Sequence, residues 1–218
     1  MARLITVDHI QQAVDLTDFN FNEAQQRMSP MPRGWTKRDY PPKQAAVLIL
    51  LYPEIDDRLH IVLTLRNSGL RGHSGQVSFP GGKQDPEDDS FTRTALRETC
   101  EEIGICDDNI IVMGEISQFY IPPTHYDVYP TVARYESIPE FNPNPDEVAE
   151  VFSFAVEDML HPKFKHVEQR IIQGYSVKVP YYNMKEYKVW GATAIMLSEF
   201  EARLRMVLPD DLVTQIES

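Results

Sequence analysis

The chain is predicted to be an α/β protein built on a mixed β-sheet, with a helical extension in front of it. Three features of the sequence point that way. Runs of strand length, apolar throughout or alternating, recur between turn signals across residues 45–135. One helix-like segment interrupts them in mid-chain, and a second, at residues 192–206, closes the chain. The strands are joined by hairpin-length and crossover-length connections alike, so the sheet is mixed rather than doubly wound and parallel.

Residues 4–28 carry Ile5, Ile10, Ala13, Val14 and Met28 at spacings that suit a pair of helices packed on the outside of a domain. Residues 29–42, rich in Pro and Gly, read as a linker. The chain thus divides into an extension, 1–42, and a domain, 43–218. Residues 45–52 are continuously apolar, as a buried strand requires. A turn at 54–58 leads to 59–66, its hairpin partner. Residues 67–75 form a loop in which Arg66, Arg71 and His73 make a basic group. Residues 76–79 are a short strand that delivers the chain to a turn at Gly81-Gly82. Beyond the mid-chain helix, 110–117 and 128–135 read as strands, with a Pro-rich loop at 121–126 between them and a second loop at 138–146. A strand at 147–154, a helical turn at 156–160 and strands at 165–172, 175–182 and 185–190 follow, with Asn183-Met184 as a turn. The closing helix buries Ile195, Met196, Phe200 and Leu204.

Composition removes several function classes. Lys and Arg number 21 against 33 Asp and Glu, a formal net charge of -12. Nucleic-acid binders carry basic stripes that neutralise phosphates, and none is present, so no nucleic-acid partner is expected. An anionic ligand can bind only through local basic residues or a metal ion. No apolar stretch approaches the roughly 20 residues that span a bilayer, so no membrane partner is expected. The N-terminus lacks the apolar core and cleavage site of a signal peptide. The two cysteines, Cys100 and Cys106, suit a reducing, cytoplasmic setting. Cys100 is expected in the core rather than in a disulfide.

The chemistry gathers between Gly81 and Ile105. Glu98, Glu101 and Glu102 stand at i, i+3 and i+4, which places three carboxylates on one helix face. Leu96, Thr99, Cys100 and Ile103 fall on the other. Like charges at these spacings cost about 0.2–0.5 kcal/mol per pair. A solvated helix face is the plain alternative, but such a cluster calls for a positive counterpart, and oxygen donors suit a hard divalent cation.

Gly82, Asp89, Arg97-Glu98, Glu101-Glu102, Gly104 and Ile105 together resemble the Nudix box, written G-x5-E-x7-R-E-U-x-E-E-x-G-U. Two positions depart from it: six residues rather than five separate Gly82 from Asp89, and Thr99 fills the slot of a bulky aliphatic. Upstream stand Leu63-Thr64-Leu65-Arg66, Leu70-Arg71, His73, Gly75-Gln76-Val77 and Phe79-Pro80-Gly81-Gly82. With the departures, this run is similar to the coenzyme A pyrophosphatase branch. The resemblance covers residues 45–105, with weaker echoes at 122–132 and 190–194.

The resemblance implies a Nudix α/β/α sandwich and hydrolysis of the diphosphate bond of coenzyme A or an acyl-CoA to 4′-phosphopantetheine and adenosine 3′,5′-bisphosphate. It implies Mg²⁺ or Mn²⁺ on Glu98 and Glu102, assisted by Glu101, with Arg97 holding a box carboxylate, here Asp89, by a salt bridge. The general base comes from the box or from Glu147 or Glu150. Substrate contacts fall to Arg66, Arg71, His73, Gly81 and Gly82, and a guanidinium suits phosphate because it can donate two parallel hydrogen bonds. ADP-ribose, another nucleoside diphosphate derivative or a dinucleoside polyphosphate would use the same chemistry. A non-catalytic nucleotide sensor is the third reading, and the complete set Arg97, Glu98, Glu101 and Glu102 argues against it. The expected partners are the small nucleotide and, at most, a second copy of the chain as a homodimer.

Overall fold

The computed structural model describes residues 4–30, 39–67, 75–106, 109–172 and 174–218. These form two compact units, residues 39–155 and residues 4–30 with Val156–Ser218.

The first unit is organised on β1 (Lys43–Pro53), whose apolar run is buried from Leu48 to Tyr52. β2 (Leu59–Arg66) returns antiparallel to it, with Leu51 opposite Ile61. On the other side β7 (Tyr126–Tyr135) runs parallel, from Lys43 opposite Tyr126 to Leu51 opposite Arg134. Both kinds of pairing therefore meet at one strand, as the mixed sheet requires. β3 (Val77–Ser78) and β8 (Val148–Ala155) flank β2, and β5 (Ile110–Glu115) and β6 (Phe119–Ile121) pair with β7. The Pro-rich loop is thus shorter than expected, because Phe119–Ile121 is already strand and Tyr126 begins the next one.

The Gly81-Gly82 turn is corrected to a strand. β4 (Gly81–Lys83) lies antiparallel to β1, with Val47 opposite Gly81 and Ala45 opposite Lys83. Gly81 has φ 151°, and a Cβ there would stand 2.3 Å from the carbonyl oxygen of Ala46. Only glycine lets the backbone approach β1 this closely.

α3 (Phe91–Ile103) starts at Ser90, whose hydroxyl accepts from the Arg93 N–H at 3.1 Å. It stops at Gly104, left-handed at φ 76°, whose N–H donates to Cys100. Ala95 and Ile103 pack with Ala46, Leu48 and Leu50 of β1. The expectation for the cysteines is corrected here. The reversal at Gly104 brings the Cα atoms of Cys100 and Cys106 to 4.5 Å, and the two are joined by a disulfide.

In the second unit α1 (Val7–Val14) and α2 (Phe21–Gln26) pack on α5 (Gly191–Val207). The predicted stripe of α5 is buried, but so is much of its polar side. Glu199 accepts from Gln25 and from Arg203, and Arg203 donates to the carbonyls of Ala13, in the last turn of α1, and of Leu16, just beyond it. Buried charges of this kind persist because each is paired. α4 (Val156–Leu160) and α6 (Asp210–Glu217) belong to the same unit, and α6 lies where no element is predicted from the sequence. A separate three-stranded sheet has the order β11-β10-β9, from β9 (Lys165–Ile172), β10 (Tyr175–Met184) and β11 (Tyr187–Trp190). The turn expected at Asn183-Met184 sits two residues later. Lys185 and Glu186 both have positive φ, 45° and 73°, as a two-residue hairpin requires.

Candidate active site

The site is built where β4, the end of β2 and α3 come together. Its anchor is Arg97, at the middle of α3. The guanidinium donates from Nε to Asp88 Oδ1 at 3.1 Å and from Nη2 to Asp88 Oδ2 at 2.9 Å, a two-pronged pair. Nη2 also donates to the Lys83 carbonyl, and Nη1 to Glu98 at 2.9 Å and Glu101 at 3.3 Å. Thr94 and the Asp85 N–H complete the shell of Asp88. The Arg97 hydrogen bonds hold the Asp88 carboxyl well below the usual carboxylate range, and Asp88 in turn holds Arg97 charged.

This corrects the bridge expected at Asp89. Asp89 instead accepts from the Ser90 hydroxyl, next to the helix start. The acidic position therefore follows Gly82 after five residues, and the extra residue lies between it and Arg97.

Arg97 turns Glu98 towards β4. A Cβ on Gly82 would stand 2.4 Å from Glu98 Oε2, so the carboxylate occupies the space that any other residue would fill. Glu102 is 2 % exposed; its Oε2 accepts from the Gly81 N–H at 3.0 Å, and Arg66 Nη1 stands 3.5 Å from Oε1. Arg66 is thus the last residue of β2, as the strand expected over 59–66 requires, and faces the carboxylates. Burial pushes the Glu98 carboxyl above its usual range, and the charges of Glu101 and Glu147 add to that. Burial pushes Glu102 up to about 7, with the charges of Glu98 and Glu147 acting the same way and the Gly81 N–H and Arg66 opposing. Glu101 is on the rim, its side chain 56 % exposed.

Glu147 arrives by a route that the sequence does not announce. The last carbonyls of α3 need donors. The Asn142 N–H supplies one to Ile103 and the Asn144 N–H another to Glu102, both at 2.9 Å. This ties the loop before β8 to the end of the helix and brings the Glu147 carboxylate within electrostatic reach of Glu98 and Glu102. Glu150 lies three residues on, exposed, opposite Leu65. Arg71 and His73 lie outside the described residues.

Among the described residues, no three His, Cys, Asp or Glu side chains already form a closed metal cage. The fit to a hard divalent cation rests on charge and donor type. A half-buried carboxylate, Glu98, and a buried one, Glu102, belong to the same helix face, and Glu102 faces Arg66 as its cation and Gly81 as its amide donor. A cation bound there would relieve both the burial and the mutual repulsion.

A mixed sheet with a capped helix beside a Gly-Gly strand, and carboxylates gathered on that helix by one arginine, defines the Nudix class of fold. The chain belongs to the Nudix hydrolase family, since the NUDIX domain profile matches residues 42–175. It is 36% identical over 164 residues to Nudix hydrolase 15, mitochondrial, of Arabidopsis thaliana, covering 72% of this chain and 57% of that protein. It is 30% identical over 193 residues to an uncharacterized Nudix hydrolase NudL of Photorhabdus laumondii, covering 88% of this chain and 100% of the relative. It is 35% identical over 167 residues to the mitochondrial coenzyme A diphosphatase NUDT8 of Homo sapiens, covering 75% of this chain and 70% of that protein. The crystal structure of a MutT/nudix family protein from Enterococcus faecalis superimposes with a TM-score of 0.52 at 14% identity, over 97% of this chain and 80% of that one, which shows the fold.

Proposed function

We propose that the chain hydrolyses the diphosphate bond of coenzyme A or an acyl-CoA, giving 4′-phosphopantetheine and adenosine 3′,5′-bisphosphate, with Mg²⁺ or Mn²⁺ held by Glu98 and Glu102. The observation that carries this reading is a pair of carboxylates, both pushed towards the protonated form: Glu102, buried against the Gly81 N–H and Arg66, and Glu98, half-buried and held by Arg97. The identity to a coenzyme A diphosphatase supports the substrate.

When bound, the metal ion supplies charge neutralisation for the diphosphate oxygens and for the attack of water on phosphorus. Arg97, locked by Asp88, fixes the orientation of Glu98, while Gly81 and Arg66 fix that of Glu102. Arg66 also offers a guanidinium to the substrate phosphates, and Glu101 adds an oxygen donor at the rim. Glu147 accepts the proton of the attacking water as the new P–O bond forms and the bridging P–O bond breaks. Glu150, further along β8, is the alternative base.

The test is a substrate panel with the full chain and Mg²⁺ or Mn²⁺, comparing coenzyme A, acetyl-CoA, dephospho-coenzyme A and ADP-ribose, with products resolved by chromatography. Coenzyme A or its acyl form should show the highest kcat/KM. Preference for ADP-ribose would replace the substrate and keep the chemistry. Tight nucleotide binding without turnover would overturn the catalytic reading.

A further inference from the structure

β9 (Lys165–Ile172) is the outer strand of the three-stranded sheet; among the described residues it pairs with β10 alone. Exposed edges recruit other strands, and proteins normally blunt them with proline, a bulge, a very short strand or charged side chains. β9 has none of the first three, and its charges Lys165, Glu168 and Arg170 are already paired within the chain. It contains no proline or glycine, and its eight residues pair with β10 from Lys165 to Ile172 without a register shift. It also displays two large apolar side chains, Val167 at 62 % and Ile171 at 80 % exposure.

The order of side chains along this edge is complementary to itself. Strand alternation puts Val167, Gln169 and Ile171 on one face and Glu168 and Arg170 on the other. In an antiparallel pair with its two-fold axis at Gln169, Val167 lies opposite Ile171 of the second copy, and Glu168 lies opposite Arg170 of the second copy. Moving the axis by one residue either way loses both matches: at position 168 His166 faces Arg170, and at position 170 Glu168 faces Ile172. The two charges are also held in place on the sheet. Arg170 lies over the Trp190 ring at 4.2 Å, and Glu168 is bound by Lys188 and by Arg170.

We infer that β9 is a dimer interface in which two copies of this chain pair antiparallel about Gln169, joining two three-stranded sheets into one of six. Apolar and opposite-charge cross-strand pairs each contribute modestly, and the contact is short, so the dimer belongs to the weak, concentration-dependent class. The inference is independent of the substrate, since no residue of β9 belongs to the carboxylate site.

The test uses sedimentation equilibrium of the full chain over a hundredfold range of concentration, together with thiol cross-linking. The chain should pass from monomer to dimer and stop there. Glu168→Arg alone and Arg170→Glu alone each place like charges opposite one another and should weaken dimerisation about tenfold. A mixture of these two variants restores both pairs and should heterodimerise. Cys100 and Cys106 are bonded to each other, so Gln169→Cys carries the one reactive thiol among the described residues. Opposed strand residues have Cα atoms about 4.5–5.5 Å apart, within disulfide reach. Gln169→Cys should therefore cross-link under copper-phenanthroline, and His166→Cys, far from its own copy across the axis, should not. A monomer at every concentration, equal cross-linking of the two cysteine variants, absence of rescue in the mixture, or open-ended growth beyond the dimer would each overturn the inference.

Discussion

Replacing Glu102 with Gln should stabilise the metal-free protein at high pH while removing metal-dependent turnover. The Glu102 carboxyl is raised from an ordinary 4.5 to about 7, chiefly by burial. Between those values the folded chain keeps a proton that the unfolded chain has released. Stability from this group is complete below the unfolded value and is lost as pH rises through the folded one. A gap of roughly 2.5 pKa units corresponds to about 3 kcal/mol, an upper figure because the site relaxes when it ionises. Gln fits the same space, accepts the Gly81 N–H and never ionises. Urea unfolding in EDTA, for both proteins at a series of pH values, should give equal stabilities near pH 4.5. The gap in favour of Glu102→Gln should then widen to between about 1 and 3 kcal/mol by about pH 8. Saturating Mg²⁺ should reverse the order, because only the carboxylate gains from the cation. A difference that stays flat with pH, or a less stable Gln variant at high pH in EDTA, would refute the assignment of Glu102 as a carboxylate whose burial outweighs its partners Gly81 and Arg66.

Four substitutions test the rest of the site. Glu98→Gln should lower kcat by at least about a hundredfold with an unchanged far-UV spectrum, and full activity in Mg²⁺ would remove Glu98 as a ligand. Asp88→Asn should destabilise by about 1–3 kcal/mol and impair turnover, since it weakens the paired hydrogen bonds that fix Arg97. Asp89→Asn should stay within about 0.5 kcal/mol in thermal unfolding, and the opposite ranking would return the bridge to Asp89. Gly82→Ala should cut turnover by about tenfold or more while leaving the melting temperature close to that of the parent. Its Cβ would stand 2.4 Å from Glu98 Oε2, the mobile end of a side chain rather than backbone.

Much of the fold was legible because its main signals are local. The apolar run of β1, the alternation of β2 and the Gly104 stop of α3 each follow from a few adjacent residues. What escaped depends on contacts made elsewhere in the chain. β4 is a strand only because β1 lies beside it, and Gly81-Gly82 in isolation looks like a turn. Cys100 and Cys106 looked like ordinary sparse thiols until the reversal at Gly104 brought them together. Glu147 is placed by Asn142 and Asn144 meeting helix carbonyls, a contact with no sequence period to betray it.

The Asp88 correction shows most directly what spacing does and does not determine. Counting back from Arg97 selects Asp89; counting forward from Gly82 selects Asp88. The two counts disagree by one residue, and a count of covalent bonds cannot choose between them. Direction can. Asp89 immediately precedes Ser90, the capping residue of α3, and its carboxylate is taken up by the Ser90 hydroxyl. Asp88 closes a turn with Asp85, accepting the Asp85 N–H on its side chain while its own N–H donates to the Asp85 carbonyl. That turn aims the carboxylate at Thr94 and at Arg97, one and two helical turns into α3, where both oxygens meet the guanidinium. The extra residue thus falls outside the bridge, and Arg97 can still set Glu98 against Gly82.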